Sequence, residues 1–115
     1  MTQKNKTSTY TKGMEIRRQV LGIKHVENAI KNTNKIDEKF QKFITEGAWG
    51  SVWSGDQLTK RDRSLITISI LAALGHHEEL EMHFNASKTT GATYSEIAET
   101  LMHVAVYAGV PASNS

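Results

Sequence analysis

No stretch constrains the fold of this chain more than Ser64-Leu65-Ile66-Thr67-Ile68-Ser69-Ile70-Leu71-Ala72-Ala73-Leu74. It is the most apolar run in the sequence, broken only by small hydroxyls. Its β-branched residues would permit a strand, but its surroundings favour a helix. Thr59-Lys60-Arg61-Asp62 is a Thr-x-x-acid variant of the capping box. The run is long for a strand, its end is alanine-rich, and Gly75 interrupts it. The sequence therefore predicts a buried helix, apolar nearly all round.

Helical spacing recurs on both sides. From Thr11 onward, Ile16 and Val20 stand at i, i+4, and Gly22 marks a stop. Residues 1–10 are polar and expected to fray. A short helix is expected over His25 to Ile30, followed by the polar break Lys31 to Lys35. Asp37 is an N-cap candidate for an amphipathic helix from Glu38 to about Ala48, with Phe40, Phe43 and Ile44 inward. Gly47 to Gly55 holds three glycines and two tryptophans and is expected to be an ordered loop. Trp49 and Trp53 have two readings, core packing beneath that loop or the aromatic wall of a pocket. A helix over His77 to Thr89, with Leu80, Met82, Phe84 and Ala86 apolar, ends at Gly91, where a C′ glycine belongs. Thr93-Tyr94-Ser95-Glu96 is a capping box opening a helix with Ile97, Leu101, Val104 and Ala108 on one stripe. Pro111 suits the first turn of a further helix. The expectation is an all-α fold, a compact bundle of five to six helices, in a single domain over residues 11–115. Bundles of this size place polar sites between facing helices.

Composition excludes several functions. The net charge is +2 and the basic residues are dispersed, so there is no nucleic-acid footprint. The absence of cysteine removes disulfides, thiolate metal sites and thiol redox chemistry. The N-terminal residues lack the apolar core of a signal peptide, and no apolar run reaches membrane-spanning length. A cytoplasmic protein without a membrane partner is expected.

Chemistry concentrates in His76-His77-Glu78-Glu79-Leu80-Glu81-Met82-His83. In a continuous helix His76, Glu79 and His83, at i, i+3 and i+7, would share one face. A Glu–His pair one turn apart can hold a proton near neutral pH, since each favours the other's charged form. The same three residues could instead ligate a metal. However, the sequence lacks HExxH and the downstream ligand clusters of metallohydrolases.

Several segments together resemble the carboxymuconolactone decarboxylase family, in the superfamily that also holds the alkylhydroperoxidase D-type proteins. They are Gly13-Met14-Glu15-Ile16-Arg17-Arg18-Gln19-Val20-Leu21-Gly22 with His25-Val26, Ala48-Trp49-Gly50-Ser51-Val52-Trp53, and Arg63-Ser64-Leu65-Ile66-Thr67-Ile68. Further on come Glu79-Leu80-Glu81-Met82-His83, Gly91-Ala92-Thr93-Tyr94-Ser95-Glu96-Ile97 and Tyr107-Ala108-Gly109-Val110-Pro111-Ala112-Ser113-Asn114. The resemblance implies the alkylhydroperoxidase D-like helical fold. It departs from the redox branch, which carries Cys-x-x-Cys-x-x-x-His and a Glu twelve residues earlier. With that His placed on His83, the cysteines fall on His76 and Glu79 and the Glu on Ser64, so thiol peroxidase chemistry is excluded. Family members also usually continue into a helix beyond the Pro-Ala-x-Asn segment, so by this resemblance the chain looks truncated at its C-terminus.

The resemblance implies conversion of 4-carboxymuconolactone to 3-oxoadipate enol-lactone, in aromatic catabolism. The departing carboxylate leaves its electron pair to flow through the ring double bond into the lactone carbonyl. The substrate is its own electron sink, so neither cofactor nor metal is implied. Glu79 and His83 become the expected catalytic pair, one protonating carbon and the other orienting it. A dicarboxylate substrate calls for a cation. Arg17, Arg18, Arg61 and Arg63 are candidates, Arg63 foremost because it abuts the apolar helix. His76, His25, Trp49 and Trp53 complete the expected substrate-binding set. Self-association into a homotrimer or homohexamer is likewise implied. The alternative is a superfamily member that acts on another small acid or only binds one.

Overall fold

A computed structural model describes the backbone of residues 2–113 and the side chains of residues 9–113. Asn114, in the last family-like segment, lies outside that range. The described residues form helices and no strand: α1 (Thr2–Leu21), α2 (Ile23–Lys31), α3 (Glu38–Ile44) running into a π-helical stretch (Thr45–Val52), α4 (Lys60–Leu74), α5 (His77–Thr90), α6 (Tyr94–Ala108) and α7 (Val110–Ser113). The fold is all-α, as the spacing of apolar residues predicts. Six of these α-helices have seven residues or more. The helices group into two compact units, the first running to Gln57 and the second beginning at Leu58.

In the first unit α1 begins at Thr2 rather than Thr11. It packs against the π-helical stretch at the level of the backbone. A Cβ on Gly13 would run into the carbonyl oxygen of Thr45, and one on Gly50 into the carbonyl oxygen of Thr9. Only glycine permits that approach. Gly22 takes a positive φ of 96° and separates α1 from α2.

Three expectations for this unit are corrected. Residues 47–52 are helical, not a loop. The Trp53 amide donates to the Ala48 carbonyl five residues back at 2.8 Å, the wide turn of a π-helix, and the Ser51 hydroxyl donates to the Glu46 carbonyl at 3.0 Å. Phe40 and Phe43 are exposed rather than inward, and the buried positions fall on Thr45, Trp49 and Gly50 instead. The inward stripe runs through Gln41, Ile44, Thr45, Ala48 and Trp49, at helical spacing but one residue on from Phe40 and Phe43. Asp37 does stand at the N-cap, but its carboxylate accepts from the Asn34 amide at 2.9 Å and caps nothing in α3.

In the second unit α4 packs against both α5 and α6. Its core is Ile68, Ala92 and Ile97, flanked by Leu65, Leu80 and Leu101. The Thr59 hydroxyl caps α4 by accepting from the Asp62 amide at 3.1 Å. Gly75 and Gly91 close α4 and α5 in the left-handed conformation. The Thr93 capping box is complete in both directions. Apolar composition does not make α4 a buried helix. Only the i, i+4, i+8 stripe Ser64, Ile68, Ala72 is buried, whereas Ile66, Ile70 and Leu74 are exposed. Two neighbours cover two sides of a helix and leave the rest bare. No helix among the described residues is long and apolar enough to cross a membrane.

Candidate functional site

The second unit carries the proton-handling residues. α4 and α5 form a hairpin about Gly75. The Ser64 hydroxyl in the first turn of α4 lies 2.7 Å from that of Thr90 at the end of α5. This bond sets the register of the pair. His83, two turns before Thr90, is therefore level with Leu71, in the last turn of α4. Arg63 lies about 12 Å further along the axis, at 1.5 Å per residue over eight residues.

α5 turns Leu80, His83, Ala86 and Ser87 inward. His83 is buried, with 7% of its surface exposed. Glu79 stands one turn earlier at i−4, on the adjoining edge of the helix, and is exposed. His83 is thus shielded and Glu79 faces outward.

The expected three-residue face is corrected at His76. That residue is the N-cap of α5, with φ −86° and ψ 82°, and its side chain makes no capping hydrogen bond. Gly75 ends α4 one residue earlier, so His76 spans the turn and never enters the i, i+3, i+7 register. Among the described residues no group of three or more His, Asp or Glu side chains is placed to hold a metal ion. His76 and Glu79 are exposed while His83 is buried, so the three do not converge as a ligand set.

The four arginines separate by what they touch. Arg61 pairs with Glu96 and, at 3.0 Å, with Asp62. Arg18 pairs with Glu27 at 3.1 Å on the surface. Arg63 is half-buried at the first turn of α4, and its Nε is buried without a hydrogen-bond acceptor. Arg63 remains the arginine of this unit with no carboxylate partner among the described residues. Arg17, in the first unit, is 7% exposed and bonded only to neutral groups, Thr45 Oγ1 at 3.2 Å and Gln41 Oε1 at 3.0 Å. Burial pushes its guanidinium below its ordinary value, with Tyr10 opposing that shift. A guanidinium nevertheless stays protonated at neutral pH. Arg17 could have been placed inward from sequence, because Gly13, Arg17 and Val20 stand at i, i+4, i+7 on one stripe.

The remaining expected residues lie in the first unit. His25 is exposed on α2. Trp49 and Trp53 are both buried, with ring centroids 5.0 Å apart and planes tilted by 35°. A cavity of the second unit, about 910 Å³ between α4 and α6, has Leu65, Ile70, Val104 and Tyr107 among its walls together with Arg61, but not Arg63, Glu79 or His83.

These features define an all-α protein whose candidate acid–base residues, Glu79 and His83, stand one turn apart on α5. The chain belongs to the carboxymuconolactone decarboxylase family, whose model matches residues 38–115. It is 45% identical over 111 residues to the 4-carboxymuconolactone decarboxylase of Acinetobacter baylyi, covering 96% of this chain and 83% of that one. It is also 37% identical over 102 residues to the nitrosuccinic acid decarboxylase npaB of Metarhizium robertsii, covering 89% and 71%.

Proposed function

We propose that this protein is a carboxy-lyase that decarboxylates 4-carboxymuconolactone to 3-oxoadipate enol-lactone. The observation that carries the reading is the 45% identity to a 4-carboxymuconolactone decarboxylase along 96% of the chain. The bond from the ring carbon to the departing carboxylate breaks. Its electron pair moves through the ring double bond to the lactone carbonyl, and the dienolate takes one proton on carbon. Because the substrate carbonyl receives the electrons, the reaction calls for no cofactor. The protein has to desolvate the carboxylate, stabilise the oxyanion and supply the proton.

In this reading His83 and Glu79 handle that proton, and the burial of His83 supports its place nearer the carbon. Arg63 anchors the carboxylate that is retained. Its unanswered Nε suits the second carboxylate of a small dicarboxylate. Trp49, Trp53, His76 and His25 serve substrate binding in the assembled enzyme. The enzyme works in the cytoplasm as a homotrimer or homohexamer. The exposed Ile66, Ile70, Val106 and Tyr107 are in keeping with self-association.

The similarity to a nitrosuccinic acid decarboxylase favours one second reading, the same carboxy-lyase chemistry on a different small acid. Incubation with 4-carboxymuconolactone, following CO2 release and loss of the lactone, separates the two. A folded oligomer that releases no CO2 from this lactone but does so from another small acid overturns the first reading.

A further inference from the structure

The first unit contains a cavity of about 500 Å³ between α1, α2 and α3, with the buried Arg17 on its wall. A guanidinium has five N–H donors. Thr45 and Gln41 answer two of them, and Nε is buried without an acceptor. Burying a cation is costly unless an anion or a full set of acceptors compensates. No ion pair among the described residues joins Arg17 to a carboxylate. The lining adds two further cations, Lys39 and Lys42, against one acid, Glu38. Both lysines are exposed, whereas Arg17 is not. Met14 and Ile30 supply an apolar wall between the polar groups. The cavity thus offers one cation inside and two at its rim, with room for a short carbon chain.

We propose that this cavity is a binding site for a small dicarboxylate. One carboxylate takes the open donors of Arg17 in a bidentate pair. The other meets Lys39 and Lys42 at the rim. The inference goes beyond the decarboxylation reading, because every residue it uses lies in the first unit and its readout needs no turnover.

The test uses the full chain, 15N-labelled and titrated with succinate at constant ionic strength. The expected result is a saturable shift of the Arg17 Nε–H signal, assigned by its loss in Arg17→Lys. A buried arginine that serves only to tie α1 to its neighbours leaves this signal unmoved. Should Arg17→Lys fail to fold, Lys39→Gln/Lys42→Gln carries the test, since both side chains are exposed. In that variant succinate binding weakens about five-fold at an unchanged melting temperature. An Nε–H signal that stays fixed through the titration, or a double variant that binds succinate as well as the parent, overturns the proposal.

Turnover distinguishes two sources of the ligand. Competitive inhibition by succinate, with the dissociation constant seen by NMR, marks the occupant as the substrate's own retained carboxylate and overturns Arg63 as its anchor. A shifted signal with unaltered turnover marks it as a free dicarboxylic acid. If no lactone is turned over at all, the NMR result still decides the site.

Discussion

The Ser64 hydroxyl on α4 lies 2.7 Å from the Thr90 hydroxyl on α5, a polar link between residues 26 positions apart in a largely apolar seam. Ser64 is fully buried and Thr90 half-buried. The family resemblance also sets Ser64 against the glutamate of the redox branch. In this chain a neutral hydroxyl stands there and fixes the register of the two helices.

Removing either partner should be felt as a lost hydrogen bond that leaves a buried acceptor or donor. Ser64→Ala should destabilise the protein by about 1 kcal/mol, read from the urea midpoint at unchanged slope. With Thr90→Val the two losses should fall short of additive, because they remove the same bond. Strict additivity would show that the bond contributes nothing.

The glycines of the first unit should separate sharply by position. Gly50→Ala forces a methyl group into the Thr9 carbonyl and should cost about 2 kcal/mol or more. Gly47→Ala, three residues earlier in the same helical stretch, meets nothing within 4 Å and has no positive φ. It should stabilise by about 0.5 kcal/mol through the lower entropy of the unfolded chain. Thermal melts of the two variants against the parent check both signs.

If His83 protonates carbon, His83→Asn should reduce kcat by about 10²–10⁴-fold while the protein stays folded. Arg63→Lys keeps the charge but loses the planar fork. It should raise KM by about ten-fold, on the order of one charge-assisted hydrogen bond. Full activity in His83→Asn would remove the site assignment and leave the family assignment intact.

Glu96 links acidity to stability. Its carboxyl lies below the ordinary value of 4.5, first because the Thr93 amide donates to it, with Arg61 adding to the effect and burial opposing it. A depressed carboxyl contributes stability that is fully present above its unfolded value and is lost as pH falls through the folded one. Glu96→Gln should therefore lower stability at neutral pH and flatten its decline in acid. Urea midpoints measured from neutral pH down through the carboxyl range give the comparison. Curves that stay parallel would exclude the linkage.

Much of this architecture is local and therefore legible. Gly75 and Gly91 adopt positive φ where a helix must stop, and Thr93 with Glu96 closes a capping box inside one turn. The family-like segments identify a chain whose relatives are decarboxylases. Other positions resisted reading because their signals are not local. Apolar spacing turns Phe40 and Phe43 inward, but the face that α1 covers is the one carrying Thr45 and Trp49, and the two phenylalanines stay exposed. The i, i+3, i+7 face fails at His76 because a left-handed Gly75 takes that residue out of the helix.

The sequence by itself determined the helical class, the helix ends at Thr59, Gly75, Gly91 and Thr93, and the exclusion of thiol chemistry. All three rest on residue identity or on interactions spanning a few residues. Only the tertiary structure decided which polar groups are withdrawn from water. Arg17 answers to Gln41 and Thr45, 24 and 28 residues away, and Ser64 to Thr90. His83 is buried while Glu79, one turn before it, is not. Burial depends on what other helices place against a side chain, and no periodicity within one helix carries that information.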